Sequence, residues 1–419
     1  MESFKIVGGK RLEGKIKVDA SKNALLPILA AVILTGEDVI LRECPDLIDV
    51  RKMLGILKKL GCKTKMSGSD IFISCKNAQP NLVDCSLTGE IRSSIFILGP
   101  ILSRFRQAKI CYPGGCEIGL RPIDLHINGL KQLNVKIVEE NGVIVCDGSE
   151  MCSGEVCLDF PSVGATENLI MAGVNLVGTT IIRNAAREPE IVDLASFLNV
   201  LGAKVYGAGT DTVCVEGVKT LRGGTYTPMF DRIVAGTLMT ACAVTGGDVT
   251  LTNCYAKYMY STIEKIKRCG CRVNVISWNE LRVLAPNRLR GIGKTETQPF
   301  PGFPTDMQPQ TVAMLSVSDG VSMVVENLFE NRFKYTMELR KMGADVTVKD
   351  RVVIVRGVGR LHGAVVTATD LRAGAALVVA GLNADGESVV NDVRHVDRGY
   401  CKFEDMLTGL GANINRIYT

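Results

Sequence analysis

The sequence is poor in histidine and in aromatic side chains, and it has no long apolar run. It holds 3 His and 1 Trp among 419 residues, and aromatic residues make up 5% of the chain. No apolar stretch reaches the ~20 residues that a membrane-spanning helix needs. The first ten residues also lack the apolar core of a secretory signal. We therefore expect no membrane partner and a reducing, cytoplasmic compartment.

Metal-binding patterns are missing as well. The 15 Cys include no Cys-x-x-Cys pair, and because 15 is odd they cannot all pair within the chain. The closest pair, Cys269 and Cys271, finds few histidines elsewhere to complete a zinc site. We expect no metal and no cofactor, with most thiols packed as small apolar side chains.

The charge balance is mild. Lys and Arg number 49 and Asp and Glu number 44, which gives a net charge of +5. A nucleic-acid partner is therefore not indicated. The charged fraction of 22% and the hydrophobic fraction of 46% are typical of a globular protein.

The sequence does contain a sixfold internal repeat. A short marker of the type Leu-Gly-Ala ends an amphipathic stretch six times, at Gly61, Asn134, Gly202, Gly270, Gly343 and Gly411. Markers that are three units apart are separated by a constant 209 residues. The units therefore form two groups of three. This grouping predicts two similar domains, the first over residues 21–229 and the second over residues 1–20 with 230–419.

Each unit has the same order of elements. An almost wholly apolar helix is followed by a turn, a strand, a helix with one polar face and one or two further strands. A helix that is apolar on every side must be buried. We predict an α/β fold of two inside-out domains, each with three pseudo-symmetric repeats, buried helices and outer sheets. Ordinary two-layer α/β packing stays open as an alternative. The predicted buried helices span residues 23–34, 93–102, 168–177, 233–244, 311–317 and 373–382.

Charged residues stand where the apolar helices are predicted to start. Asp231 and Asp370 fit either a helix cap or a binding role, since Asp is a good N-cap. Capping does not explain Lys22, Arg92 and Arg372, because a cation at a helix N-terminus opposes the helix dipole. Those three cations indicate an anion held jointly by side chains and helix N-termini. Further polar residues at these starts are Asn23, Glu167, Asn168, Asp306, Gln308 and Gln310.

A second series of arginines precedes the amphipathic helices. One arginine in a loop is usually a surface ion pair, but several at matched repeat positions point to one function. We predict a cationic cleft between the domains that binds a small phosphate or carboxylate ester. The series consists of Arg121, Arg187, Arg332 and Arg398.

Cys116 differs from the other cysteines. It follows a glycine pair and precedes Arg121 by five residues, in a loop without a helix or strand pattern. A neighbouring cation favours the reactive thiolate, and a glycine-rich loop can close as a lid. Cys116 is therefore a candidate reactive thiol, and Asp306 is a candidate base.

Several motifs spread over essentially the whole chain resemble one family. With them the sequence resembles the UDP-N-acetylglucosamine enolpyruvyl transferases, a group of 1-carboxyvinyltransferases. The motifs are K-N-A-L-L-P from Lys22, P-G-G-C-E-I-G-L-R-P from Pro113, S-V-G-A-T-E-N from Ser162, N-A-A-R-E-P-E from Asn184, F-P-T-D-M-Q from Phe303, E-N-R-F from Glu330, A-T-D-L-R-A from Ala368 and H-V-D-R-G-Y from His395.

The resemblance implies transfer of the enolpyruvyl group of phosphoenolpyruvate to the 3′-hydroxyl of UDP-N-acetylglucosamine, with release of phosphate. It implies addition followed by elimination, at the first committed step of peptidoglycan precursor synthesis. It also implies the inside-out fold, with the N-terminal strand joined to the second domain. Two alternatives stay open: transfer to shikimate 3-phosphate, and a catalytically silent nucleotide-sugar-binding paralogue.

The resemblance also implies residue roles. Cys116 would protonate phosphoenolpyruvate at C3 and could form a covalent adduct, and Asp306 would act as a base on the sugar hydroxyl. Lys22 and Arg398 would stabilise developing charge. The implied phosphoenolpyruvate contacts are Lys22, Asn23, Arg121, Arg332, Arg372 and Arg398. The implied UDP-N-acetylglucosamine contacts are Asn23, Arg92, Arg121, Pro122, Ile123, Asp124, Leu125, Ser162, Val163, Gly164, Asp306 and Leu328.

Two positions depart from the family pattern. Leu120 stands beside Arg121 where alanine is common, which could alter the packing of the Cys116 loop. Phe160 replaces a lysine that some members use near the diphosphate, so we expect that contact to be lost.

Overall fold

The chain folds into two compact units. The structure is a computed structural model, and it describes residues 2–80, 88–114 and 123–418. The first unit comprises residues 20–80, 88–114 and 123–229. The second unit comprises residues 2–19 and 230–418. Each unit contains three of the six repeats.

The helices alternate along the chain between an inner and an outer kind. Odd-numbered helices are largely buried, and even-numbered helices expose one face. In chain order they are α1 (Lys22–Ala31), α2 (Ile48–Lys59), α3 (Leu98–Phe105), α4 (Asp124–Gln132), α5 (Val163–Gly173), α6 (Pro189–Val200), α7 (Arg232–Val244), α8 (Tyr260–Arg268), α9 (Gln308–Leu315), α10 (Thr336–Lys341), α11 (Leu371–Asn383) and α12 (Phe403–Thr408). Short 3-10 helices span Val32–Leu34, Arg92–Ile97, Ala256–Tyr258, Thr305–Met307 and Val393–Arg398.

The inner helices are buried on all sides. Every residue from Ile233 to Val244 of α7 is buried, as is every residue from Arg372 to Leu382 of α11. In contrast, α8 buries only Thr262, Ile263 and Ile266. Runs of Ala, Val, Leu and Ile leave no side that water would solvate, so these helices pack on one another. No described helix is both long and apolar enough to span a membrane.

The six repeat markers share one backbone conformation. Each follows an outer helix and has a left-handed φ, which stops the helix and turns the chain into the next strand. Glycine adopts that conformation at no steric cost, and asparagine is the usual substitute. The φ values are 89° at Gly61, 61° at Asn134, 97° at Gly202, 102° at Gly270, 87° at Gly343 and 97° at Gly411.

The strands are short and build six small sheets. In chain order they are β1 (Glu2–Val7), β2 (Glu13–Lys17), β3 (Asp38–Leu41), β4 (Lys63–Ser67), β5 (Asp70–Ser74), β6 (Gln107–Cys111), β7 (Lys136–Glu140), β8 (Val143–Asp147), β9 (Glu155–Cys157), β10 (Thr179–Arg183), β11 (Lys204–Tyr206), β12 (Thr212–Glu216), β13 (Gly224–Tyr226), β14 (Asp248–Thr252), β15 (Arg272–Ser277), β16 (Glu280–Leu284), β17 (Gly293–Glu296), β18 (Val321–Val325), β19 (Asp345–Lys349), β20 (Val352–Arg356), β21 (Val365–Thr367), β22 (Glu387–Asn391) and β23 (Asn413–Tyr418).

Each repeat contributes one sheet. The first unit has the strand orders β13-β3-β5-β4, β6-β8-β7 and β11-β12-β10-β9. The second unit has β15-β16-β14-β2, β17-β18-β20-β19 and β21-β22-β1-β23. Buried and less buried side chains alternate along strands such as β12 and β20, so one face of each sheet covers the helices.

The N-terminal strands complete sheets of the second unit. β1 lies between β22 and β23 and is antiparallel to both, with Phe4 opposite Val390 and Arg416. β2 runs parallel to β14, with Gly14 opposite Val249. Joining of the N-terminal strand to the second domain was expected from the resemblance, whereas the separate pairing of β2 with the fourth repeat was not.

Three predicted inner helices start at clearly different positions from the observed ones. The fifth, predicted over 311–317, spans Gln308–Leu315. The segment predicted as a helix over 93–102 begins as the 3-10 helix Arg92–Ile97. The third inner helix begins at Val163 rather than at residue 168. The reason is the Ser162 hydroxyl, which accepts the N–H of Ala165 at 3.3 Å and caps the helix. Asn168 and its neighbour Glu167 therefore lie inside α5 and not at its start.

The marker conformation can be tested where no other contact interferes. A Cβ added to Gly202 would meet no atom within 4 Å, so Gly202→Ala probes only the left-handed backbone. We expect it to lower the free energy of unfolding by about 1–2 kcal/mol, measured by urea denaturation. Gly154 is the matched control, because it is equally open and lacks a left-handed φ. Gly154→Ala should be neutral or slightly stabilising, and equal losses in both variants would contradict the interpretation.

Candidate functional site

The start of α1 carries a buried ion pair. Lys22 is the first residue of α1, directly after the N-cap Ser21. Its Nζ lies 3.2 Å from Oδ2 of Asp49 in the first turn of α2, and the two side chains are 12% and 3% exposed. Asp49 thus compensates a cation that would otherwise oppose the helix dipole. Asn23 follows Lys22 and is partly buried.

The N-terminus of α5 packs closely against neighbouring polar and aromatic side chains. A Cβ at Gly164 would lie 3.0 Å from Cε1 of His126 and 3.2 Å from Cε1 of Phe96. Only glycine leaves ordinary contact distances there. The residues Ser162, Val163 and Gly164 thus form a compact helix start, where the backbone N–H groups of Val163 and Gly164 suit an anion. The Ser162 N–H does not, because it donates to the Phe160 carbonyl at 2.7 Å.

Asn168 ties this region together from inside α5. It is fully buried, its Oδ1 accepts the N–H of Gly99 at 2.9 Å, and its Nδ2 donates to the Ile95 carbonyl at 2.9 Å. Nδ2 also lies 2.8 Å from Nδ1 of His126. These bonds join α5 to the 3-10 helix Arg92–Ile97, to α3 and to the first turn of α4. The predicted site residues at these junctions are Arg92, Ile123, Asp124, Leu125, Ser162, Val163 and Gly164.

Glu167 is a buried carboxyl group one turn into α5. It is completely buried, and neither of its oxygens has a hydrogen-bond partner within the described ranges. Burial, together with the charges of Glu190 and Glu188, raises its pKa well above the usual range. The loop before α6 is fixed to α5 because the Ala186 N–H donates to Oγ1 of Thr166 at 3.0 Å. The surroundings of Glu167 therefore favour its protonated, neutral form.

In the second unit, Asp306 is held between two buried guanidinium groups. Nη2 of Arg332 donates to Asp306 Oδ1 at 2.8 Å. Arg372 donates to Oδ2 from Nε at 3.1 Å and from Nη2 at 2.9 Å. The arginine side chains are 2% and 3% exposed, whereas Asp306 is 28% exposed. The carboxylate is thus the part of this triad that solvent reaches, and the triad has an excess of one positive charge.

A buried network of hydrogen bonds also includes the Arg372 guanidinium. Its Nη1 donates to the Tyr400 hydroxyl at 3.4 Å, and that hydroxyl lies 2.8 Å from Oγ1 of Thr237. Nε2 of Gln310 donates to Oγ1 of Thr237 at 3.1 Å and to the Tyr400 hydroxyl at 3.3 Å. A network of this kind fixes the guanidinium orientation, because each buried group requires its partners.

Two further predicted residues lie in the second unit. Arg398 is the last residue of the 3-10 helix Val393–Arg398 and is partly buried. Leu328 follows β18, and its N–H donates to Oε1 of Glu326 at 2.8 Å. Oε1 and Oε2 of Glu326 also accept the hydroxyls of Thr297 and Thr305, so the segment that leads to Asp306 is tied to the residue that follows β18.

The structure separates the matched polar positions by role. Asp231 and Asp370 are N-caps, since each accepts two backbone N–H groups at the starts of α7 and α11. Arg187 forms an exposed ion pair with Asp211 at 3.2 Å and is a surface residue. Of the four matched arginines, Arg187 thus forms the surface ion pair that is usual for an arginine in a loop.

Three predicted site residues, Cys116, Arg121 and Pro122, lie outside the described residues, as does Leu120. Other cysteines can be assessed directly. Burial raises the pKa of Cys242, Cys254, Cys269 and Cys271 to about 12 in each case. These thiols are unreactive core side chains at neutral pH. Phe160, at the other departing position, is exposed and precedes the start of α5.

Sequence reasoning missed Asp49, Tyr400 and Thr237. Asp49 had a usable signal, because it lies one turn before Met53 on the apolar face of α2 and is buried there. Tyr400 ends the H-V-D-R-G-Y motif but had no signal for a buried contact, and Thr237 had no signal at all. Their hydroxyls meet across 163 positions of sequence, a contact that only the packing of α7 beside α11 creates.

A model of the EPSP synthase (3-phosphoshikimate 1-carboxyvinyltransferase) family matches residues 6–407 of this chain. Since the match covers nearly the whole sequence, the protein belongs to this family.

Two relatives are similar over the full length. The chain is 47% identical over 417 residues to UDP-N-acetylglucosamine 1-carboxyvinyltransferase 2 of Caldanaerobacter subterraneus subsp. tengcongensis, with 100% of both chains covered. It is 46% identical over 422 residues to UDP-N-acetylglucosamine 1-carboxyvinyltransferase of Finegoldia magna, with 100% of this chain and 99% of the relative covered.

Solved structures establish the fold. The enolpyruvyl transferase NikO from Streptomyces tendae has a TM-score of 0.89 at 22% identity, covering 100% of this chain and 99% of that one. An EPSP synthase from Acinetobacter baumannii has a TM-score of 0.76 at 17% identity, with 100% of both chains covered. The predicted fold class is confirmed.

Burial of Glu167 makes a pH-dependent prediction. Its folded pKa lies above the unfolded value near 4.5, so the native state binds more protons than the unfolded chain above that pH. Stability should therefore fall as pH rises from 4.5 through the folded pKa. In Glu167→Gln this fall should be smaller, measured by urea denaturation from pH 5 to pH 8. Glu37→Gln, at an exposed carboxylate of the same unit, should retain the full fall; identical pH profiles in both variants would contradict the assignment.

Proposed function

We propose that this protein transfers the enolpyruvyl group of phosphoenolpyruvate to the 3′-hydroxyl of UDP-N-acetylglucosamine and releases phosphate. The observation that carries the proposal is full-length similarity to relatives that bear the name of this activity, at 47% and 46% identity. The reaction would be the first committed step of peptidoglycan precursor synthesis, in the cytoplasm. Its functional domains would be residues 21–229, carrying the Cys116 loop, and residues 1–20 with 230–419.

The reaction proceeds by addition and elimination. A proton is added to C3 of phosphoenolpyruvate while the sugar 3′-oxygen bonds to C2, which gives a tetrahedral ketal. Loss of a proton from C3 and departure of phosphate from C2 restore the double bond in the product. The chain must therefore supply an acid, a base and an anion-binding site.

Asp306 is the proposed base on the sugar hydroxyl. Its carboxylate is accessible, and its two guanidinium partners fix both oxygens. A base must lie within hydrogen-bond reach of the proton that it abstracts, so a fixed orientation favours the role. Asn23 and Leu328 would contact the sugar near this hydroxyl.

Phosphoenolpyruvate would be held by cations, namely Lys22, Arg121, Arg332, Arg372 and Arg398, together with Asn23. The buried triad supports this assignment, because its excess positive charge favours a bound anion. Nε of Arg332 is buried and has no hydrogen-bond partner among the described residues, so Asp306 is the only carboxylate among them that pairs with this guanidinium. Lys22 and Arg398 would also stabilise charge that develops on phosphate and carboxylate.

The nucleotide would bind at the start of α5. Backbone N–H groups of Val163 and Gly164 suit the diphosphate, and the close packing around Gly164 keeps them in place. The Ser162 N–H already donates to the Phe160 carbonyl at 2.7 Å, so Ser162 would contact the nucleotide through other atoms. The remaining proposed contacts to the nucleotide sugar are Arg92, Arg121, Pro122, Ile123, Asp124 and Leu125.

Transfer to shikimate 3-phosphate is the second candidate, since the matching family model carries the name of that activity. Phosphate release should be measured with phosphoenolpyruvate and each acceptor in turn. We expect release with UDP-N-acetylglucosamine and none with shikimate 3-phosphate. The reverse result would establish the second candidate, and no release with either acceptor would indicate a silent binding paralogue.

Cys116 can be tested in the same assay. We expect Cys116→Ala to lose turnover with its folded structure intact, because the acid that protonates C3 is removed. Mass spectrometry after incubation with phosphoenolpyruvate should detect an adduct on the wild-type protein and none on the variant. Cys152→Ala, at an exposed cysteine of the first unit, should keep both turnover and the adduct. Wild-type turnover of Cys116→Ala would remove this residue from the mechanism.

Asp306→Asn should lower kcat by ~10²- to 10⁴-fold, the range expected when a general base is lost. The amide is nearly isosteric but cannot take up the proton. Asp319→Asn is the control, because that carboxylate pairs with Arg288 at the surface of the same unit. A kcat for Asp306→Asn close to that of the control would exclude Asp306 as the base.

A further inference from the structure

The segment that carries Arg398 has little intrinsic stability. It is the six-residue 3-10 helix Val393–Arg398, which follows Asp392 in a left-handed conformation with φ 57°. Short 3-10 helices have poor hydrogen-bond geometry and depend on their surroundings. The orientation of Arg398 must therefore come from contacts that other parts of the chain make with this segment.

Arg416 on β23 provides such a contact. Its Nη1 and Nη2 donate to Oδ2 and Oδ1 of Asp397 at 2.9 Å and 2.7 Å, which is a bidentate pair with the residue next to Arg398. Its Nε and Nη2 donate to Glu404 at 2.6 Å and 3.2 Å, and Nη1 donates to Glu2 at 2.6 Å. One guanidinium thus binds three carboxylates, and its side chain is 16% exposed.

Arg416 is itself held by the sheet. It lies opposite Phe4 in the register of β1 and β23, and its guanidinium carbon lies 4.9 Å from the centroid of the Phe4 ring. A guanidinium stacked on an aromatic ring gains a cation–π interaction and loses freedom. The Arg416 side chain is therefore held in a fixed position for its contact with Asp397.

The other side of Arg398 is anchored separately. The Tyr400 hydroxyl lies in the buried network with Thr237 and Arg372. Val396 is fully buried, and its Cγ2 would lie 2.6 Å from a Cβ added at Gly374, so it packs directly on α11. The 3-10 helix is thus fixed at Val396, Asp397 and Tyr400, which leaves Arg398 between fixed neighbours.

We propose that Arg416 is a positioning residue, which acts through its bidentate pair with Asp397 to hold Arg398 in the orientation that binds phosphoenolpyruvate. The proposal rests on the proposed function of Arg398. A fork of two parallel bonds fixes both distance and orientation, which a single ion pair does not. Small displacements of a substrate-binding group have large effects on rate.

The chain offers a matched pair of variants. Asp397 and Glu404 each accept two bonds from Arg416, and their side chains are 20% and 15% exposed. Only Asp397 lies in the 3-10 helix with Arg398, since Glu404 belongs to α12. Asp397→Asn and Glu404→Gln therefore remove comparable contacts from Arg416, and only the first releases the segment that carries Arg398.

The direction of the change in KM for phosphoenolpyruvate distinguishes a positioning role of Asp397 from a purely electrostatic one. Asp397→Asn removes a negative charge beside Arg398, which by itself would strengthen the binding of an anion. Loss of the correct orientation of Arg398 would instead weaken the binding of the anion. We expect the KM for phosphoenolpyruvate to rise ~10-fold in Asp397→Asn, while the KM for UDP-N-acetylglucosamine stays unchanged. Glu404→Gln should keep both KM values, and its Tm should fall by about as much as the Tm of Asp397→Asn.

Arg416→Lys gives a second measurement, because it retains the charge but cannot form the fork. It should also raise the KM for phosphoenolpyruvate. Equal KM values in Asp397→Asn and Glu404→Gln, or a lower KM in Asp397→Asn, would overturn the proposal. Wild-type activity is measured first with both acceptors, so a failure of the proposed function appears there and is distinct from a failure of positioning.

Discussion

The structure depends on burying helices that are apolar on every side. A helix such as α7, buried from Ile233 to Val244, cannot form the surface of a protein, so sheets and amphipathic helices must surround it. Each repeat supplies one such inner helix, and the sheet that covers it can include an edge strand from another repeat, as β13 does beside β3. The left-handed markers follow from the same need, because the outer helix must end and turn sharply into the sheet that covers the inner one.

Burial of the inner helices also determines what happens to the charged residues at their ends. A charge at such a position has little water around it and must find a partner. Lys22 finds Asp49 within the first unit, and Arg372 finds Asp306 within the second. Neither pair is a simple stabilising device. The second unit places two guanidiniums on one carboxylate, and this excess of positive charge is the reason why we propose that the triad helps to bind a substrate anion.

Much of the fold could be predicted because it depends on periodicity and on single residues. Apolar runs identified the inner helices, and the markers from Gly61 to Gly411 identified where the outer helices end. Boundaries were less predictable where a cap competed with hydrophobicity, as at Ser162, which starts α5 five residues earlier than the apolar pattern suggests. The candidate site was partly visible in the same way. Asp306 and Arg372 came from their places in the repeat and from the family motifs.

The sequence by itself determined the repeat, the inner helices and the class of chemistry, because each depends on residue types at short spacing. Only the tertiary structure decided which charges serve as caps, which lie at the surface and which are buried together. Asp370 became a cap and Arg187 a surface residue, although their repeat positions resembled those of functional residues. Arg416 reaches Glu2 across 414 positions of sequence, a contact that exists because β1 pairs with β23. Partners so far apart leave no local pattern, so only folding brings them together.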